Sequence, residues 1–69
     1  MRITLNGAER ELEGTPSVAE LLDRLRADGL PTGACAVEVN RQLVPRRQHA
    51  DRRLAEGDAV EIVTLVGGG

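Results

Sequence analysis

Apolar and polar residues alternate from the start of the chain. Ile3 and Leu5 stand between Arg2, Thr4 and Asn6 with the two-residue period of a half-buried strand. Asn6-Gly7 follows, the pair best suited to a tight hairpin turn because both central positions need positive φ. Ala8 to Glu13 then reads as the returning strand. Its residues Glu9, Glu11 and Glu13 alternate with Ala8, Arg10 and Leu12, so three carboxylates share the solvent face of a charged outer strand.

The period changes after Gly14-Thr15-Pro16. Ser17 and Glu20 have the spacing of a capping box, and Val18, Leu21, Leu22 and Leu25 recur on one helical face opposite Glu20, Asp23, Arg24 and Arg26. Gly29 in a left-handed conformation, Leu30 folded back on the helix and Pro31 end the element. Ala36 to Val39 alternates as a strand, Asn40-Arg41 turns, and Gln42 to Val44 returns until Pro45 stops it. Arg46 to Leu54 is polar, with His49, Ala50 and Leu54 as its contact residues, and reads as an irregular connection holding one helical turn. Glu56-Gly57-Asp58 turns into Ala59 to Val66, the longest strand-like run and β-branched enough for a central position.

A hairpin, a helix, two short strands and a final strand allow that last strand to lie parallel beside the first, in the middle of the sheet. The expected class is α+β, a β-grasp (ubiquitin-like) roll in which a mixed sheet of four to five strands packs on one helix. Residues 1–66 form the domain and 67–69 a flexible C-terminal glycine tail.

Composition narrows the function. A chain of 69 residues has no room for a deep catalytic cleft, and without Phe, Tyr or Trp its core must be aliphatic. A net charge of -2 and the missing aromatics remove the footprint of nucleic-acid binding. No apolar run approaches the roughly 20 residues of a membrane span, and no secretory segment opens the chain, so a cytoplasmic location without membrane contact is expected. No paired carboxylates, nucleophile and base, or phosphate loop ahead of a helix is recognisable, so no catalytic residue is assigned. All nine basic residues are arginines, which leaves the Met1 amine as the only acyl acceptor in the chain.

Individual residues carry less chemistry than they suggest. Cys35, the sole cysteine, reads as a small, partly buried hydrophobe rather than a persulfide carrier. His49 has no second histidine or neighbouring cysteine and reads as a solvated residue rather than a metal ligand. Arg41, Arg46, Arg47, Arg52 and Arg53 form either a solvated loop or a basic patch for an acidic partner. Apolar residues turned away from the helix, drawn from Leu43, Ile62, Val63, Leu65 and Val66, are candidates for an exposed docking patch.

Three stretches resemble a known family along the whole chain. They are Ser17-Val18-Ala19-Glu20-Leu21-Leu22; Val37-Glu38-Val39-Asn40 with Leu43-Val44-Pro45-Arg46; and Glu56-Gly57-Asp58 running through Val60-Glu61-Ile62-Val63 to Gly67-Gly68-Gly69. The chain is similar to the ubiquitin-like sulfur carriers, and most of all to the ThiS family of thiamine-thiazole carriers. The small subunit of molybdopterin synthase shares the fold and the final Gly-Gly, but is longer and has aromatic core residues absent here.

The resemblance implies a protein substrate rather than an enzyme. A ubiquitin-activating-type enzyme uses ATP and magnesium to adenylate the Gly69 carboxylate, while the carrier binds no cofactor or metal of its own. Sulfur derived from a cysteine desulfurase displaces AMP, and the thiocarboxylate serves thiazole synthase. Gly67 and Gly68 thread the enzyme's channel, and Leu65, Val66, Arg46 and Arg47 are the candidate docking residues. Molybdopterin synthase or a tRNA-thiolating enzyme could use the same chemistry. A protein modifier forming isopeptide bonds and a plain interaction domain with an inert tail are the other two classes.

Overall fold

The computed structural model describes residues 1–64. Its elements are β1 (Arg2–Leu5), β2 (Ala8–Glu11), α1 (Val18–Ala27), β3 (Cys35–Val39), β4 (Gln42–Leu43), a 3₁₀ turn (Arg46–Gln48) and β5 (Ala59–Thr64). The sheet order is β2-β1-β5-β3-β4, with β5 parallel to β1 and antiparallel to β3. The expected β-grasp arrangement is therefore observed.

Both hairpins turn on residues with positive φ. Asn6 and Gly7 lie at 49° and 85°, and Asn40 and Arg41 at 54° and 68°, each pair joining antiparallel neighbours through two residues. Expected boundaries shift at strand ends. β2 stops at Glu11 rather than Glu13, although the Leu12 amide still donates to the Met1 carbonyl, and β4 stops at Leu43 rather than Val44 because Pro45 follows. β3 begins one residue early, at Cys35.

The helix begins and ends as its sequence dictates. The Ser17 hydroxyl accepts from the Glu20 amide at 3.1 Å and the Glu20 carboxylate accepts from the Ser17 amide at 3.0 Å. At the other end the Leu30 amide donates to Leu25 O and the Gly29 amide to Arg26 O, a Schellman closure that requires the +86° φ of Gly29. Leu30 folds back only in part, and 43% of it stays exposed.

Val18, Leu21, Leu22 and Leu25 are all buried against Ile3, Val37, Val39 and Val60 of the sheet, with Leu12, Val44 and Leu54 closing the sides. The core is aliphatic throughout. β5 is central by pairing but buried on one face only: Val60 is 1% exposed and Ile62 half-buried, whereas Ala59, Glu61 and Val63 face outward. Its Leu65 and Val66 continuation lies outside the described residues.

Polar side chains register the entry of β5. The Asn6 amide group accepts from the Ile62 amide at 2.8 Å and donates to its carbonyl at 3.2 Å, prolonging the β1 ladder past the turn. Asn40 does the same on the opposite side, accepting from the Ala59 amide and donating to the Asp58 carboxylate, each at 3.0 Å. Asp58, 8% exposed, also accepts from the Ala55 amide at 2.8 Å and has Arg52 at 3.9 Å. One carboxylate thereby closes the turn before β5 and ties it to the β3–β4 hairpin.

Two outcomes follow. Ser17→Ala should lower stability by about 1 kcal/mol, a fall of roughly 4–8 °C in Tm. The hydrogen bonds of Ser17, with Arg53 and Arg24 adding smaller effects, hold the Glu20 carboxyl below its ordinary pKa. That contribution is complete above the ordinary carboxylate value and is lost as pH falls through the lowered one. In urea denaturation at stepped pH, the gap between wild type and S17A should narrow in acid. Asp58→Ala should cost roughly 1–3 kcal/mol in the same assay at neutral pH, since the Asn40 and Ala55 donors lose their acceptor.

Candidate functional site

The last described element, β5, lies at the centre of the sheet. β5 enters from the buried Asp58 turn, runs between β1 and β3, and reaches Thr64 five positions before Gly69. The candidate residues Leu65, Val66, Gly67, Gly68 and Gly69 lie outside the described residues. What the structure supplies is the surface around the strand that leads to them.

The arginine cluster divides. Arg53 donates to Thr15 O at 2.9 Å and to Glu20 Oε1 at 3.4 Å, and Arg52 donates to Arg53 O and lies beside Asp58. These two hold the connection in place. Arg46 and Arg47 stand exposed on the 3₁₀ turn, and with Arg41 they make no ion pair among the described residues.

The connection also occupies the helix N-terminus. Val18 N donates to Arg52 O, Ala19 N to His49 O and Glu20 N to the Ser17 hydroxyl, so these first helical amides are already satisfied. His49 is correspondingly not the solvated bystander its sequence context implied. It is half-buried, its Nε2 lies 2.9 Å from Val44 O, and its carbonyl caps the helix. A polar run conceals such a role because only the folded loop brings His49 over the helix end.

Cys35 is half-buried against the core, with its thiol 3.8 Å from Thr32 O, as a small hydrophobe should be. It shares a shallow depression of about 210 Å³ with Arg26, Arg46 and His49. Among the described residues no group of three His, Cys, Asp or Glu side chains could hold a metal ion. No helix of the described chain is long and apolar enough to cross a membrane. The Met1 amine donates to Leu12 O at 2.7 Å and lies 3.9 Å from Glu11, so the chain's sole amine is engaged in the fold.

The sheet face away from the helix is open, and register gives it a pattern that the linear sequence hides. Glu61 of β5 lies directly opposite Glu38 of β3, and Glu38 opposite Leu43 of β4. One row across three strands thus reads Glu61, Glu38, Leu43. The next position pairs Val63 with Ala36. Leu43 is 63% exposed and Val63 52%, whereas Ile62, the remaining described member of the expected apolar patch, turns toward the core. At the other edge Arg2 lies 4.0 Å from both Glu9 and Glu11, so those acids have a cation while Glu38 and Glu61 have none among the described residues.

Comparison with known proteins adds the chemical context. The model of the ThiS family matches residues 3–69. A thiazole synthase of Paramagnetospirillum magneticum is 36% identical over the whole chain, which spans only 20% of that relative's length. The sulfur carrier protein ThiS of Escherichia coli is 33% identical, with both chains covered in full. Among solved structures, the crystal structure of the thiamine biosynthesis protein ThiS from Geobacter metallireducens superposes with a TM-score of 0.80 at 31% identity, again with both chains covered in full. A solution structure of a Geobacter metallireducens thiamine biosynthesis protein gives 0.70 at 28% identity, covering all of this chain and 88% of the other.

Proposed function

The chain belongs to the ThiS family of sulfur carriers for thiamine biosynthesis, and on that premise we propose that the Gly69 carboxylate is the group that carries the sulfur. The observation that supports the reading most directly is the family match running through Gly69 in a β-grasp domain whose central strand leads to it. The carrier is a substrate of other proteins' chemistry.

A carboxylate is a poor acyl donor because the group expelled would be oxide. Transfer of an adenylyl group from ATP, with release of pyrophosphate, replaces that with AMP as leaving group. The terminal sulfur of a persulfide, supplied through a cysteine desulfurase, then attacks the acyl carbon and AMP departs. The resulting acyl persulfide yields a thiocarboxylate when a thiol cleaves its S–S bond, with the thiol oxidised to a disulfide. ATP and magnesium belong to the ubiquitin-activating-type enzyme, and thiazole synthase accepts the sulfur in the cytoplasm. The similarity to one part of a longer thiazole synthase supports that pairing.

Gly67 and Gly68 suit this passage because residues without Cβ atoms accept whatever φ and ψ a narrow channel imposes. Ordering them costs about 1–2 kcal/mol of backbone entropy per residue, so contacts of the folded domain must supply the compensating binding energy. Stability and reactivity are therefore separable.

Incubation with the cognate activating enzyme, ATP, magnesium, a persulfide donor and a thiol should exchange one oxygen for sulfur at the C-terminus, read by intact-protein mass spectrometry. Gly68→Val and deletion of Gly69 should abolish the exchange while changing stability by no more than about 0.5 kcal/mol. An unchanged wild-type mass, or exchange that survives loss of Gly69, would rule out the assignment.

A further inference from the structure

An asparagine side chain carries an acceptor and a donor like those of a peptide unit, so it can stand in for backbone that a neighbouring strand lacks. The backbone of β1 and its turn reaches β5 only as far as the Asn6 amide, which donates to Val60 O at 2.9 Å before Gly7 turns the chain back into β2. β5 continues past that point. The Asn6 carboxamide fills the gap on the β1 side, accepting from the Ile62 amide at 2.8 Å and donating to the Ile62 carbonyl at 3.2 Å. The other side of β5 stays paired with β3 as far as Thr64 opposite Cys35. Asn6 is exposed, so water competes for both side-chain bonds and their net stabilisation is small. The turn alone, with Asn6 at a φ of 49°, would be served as well by glycine.

We propose that Asn6 is a positioning residue for the chemistry at Gly69: by holding Ile62 on the β1 side, it fixes the direction in which the chain leaves the domain for the activating enzyme's channel. The proposal rests on the carrier reading above. Gly67 and Gly68 accept the backbone angles a channel imposes, but the line along which the chain approaches that channel is set at β5. Without the Asn6 bonds the strand beyond Val60 is held by β3 alone, and two-stranded ribbons twist more than wider sheets. Ile62 precedes Gly69 by seven residues, at most about 23 Å of extended chain, so a rotation of about 10° at Ile62 moves the carboxylate by up to about 4 Å. A displacement of that size takes the carboxylate out of line with the α-phosphate of bound ATP. Asn40 supplies the contrast. It also sits at positive φ in a hairpin and accepts from a β5 amide, that of Ala59 at 3.0 Å, but at the strand's entrance, with the Asn6–Ile62 bonds lying between it and the chain end.

The test compares the full-length wild type with Asn6→Gly and Asn40→Gly. Glycine keeps the positive φ that both turns need and removes only the side-chain bonds. With the cognate activating enzyme in excess over carrier, the single-turnover rate of adenylate formation is measured against enzyme concentration, and Tm is recorded for each protein. Asn6→Gly should lower the saturating rate about fivefold or more while the half-saturating enzyme concentration stays within about twofold of wild type. Asn40→Gly should leave both values near wild type, even where its Tm falls as far or further. A saturating rate for Asn6→Gly within about twofold of wild type would overturn the positioning role and leave the carrier reading intact. An equal fall in the two variants would overturn it too, because the loss would then follow general loosening of β5. A change confined to the half-saturating concentration would make Asn6 a contact of the enzyme and so overturn the proposal. Absence of Gly69-dependent adenylation with wild type would overturn both readings.

Discussion

The parallel pairing of β5 with β1 joins the two ends of the described chain, Thr4 with Ala59 and Leu5 with Val60, and the position of every other element depends on it. Both hairpins are local and cheap to close, whereas this contact requires nearly the whole chain to loop back. The ladder itself is short. Asn6 lengthens it with two side-chain bonds to Ile62, and Asn40 with Asp58 performs the corresponding task at the β3 side. Polar groups at the strand's entrance thereby set a register that a small aliphatic core would hold loosely, since Val and Leu pack without directional preference.

Once β5 is in place, the sheet has two faces of different purpose. Ile3, Val37, Val39 and Val60 meet the helix and make the core. The opposite face contributes little burial, and strand register sets Glu38 directly across from Glu61 there, with no ion pair to either among the described residues.

Much of this was legible in the linear order of residues. The capping box of Ser17 and Glu20, the apolar helical stripe, the Gly29 stop and the Asn6-Gly7 turn are signals contained within a few positions, and each acts through local backbone geometry. The aliphatic core was foreseeable because no aromatic residue exists to fill it. The Arg46–Leu54 connection was not: His49 caps a helix that starts 31 positions earlier in the chain, and Arg53 reaches Thr15, contacts without a local signature. The exposed apolar patch was legible as a set of candidates only, since a strand residue's face depends on register.

The sequence alone thus determined the kinds of element, their order, the aliphatic core and the run of glycines at its end. It determined them because helix caps, hairpin turns and glycine's freedom are properties of neighbouring residues. Tertiary structure decided which cations are committed, that His49 belongs to the fold, and that Glu38 faces Glu61. These depend on pairings between distant strands, and a shift of one residue in register would have turned the same side chains to the other face.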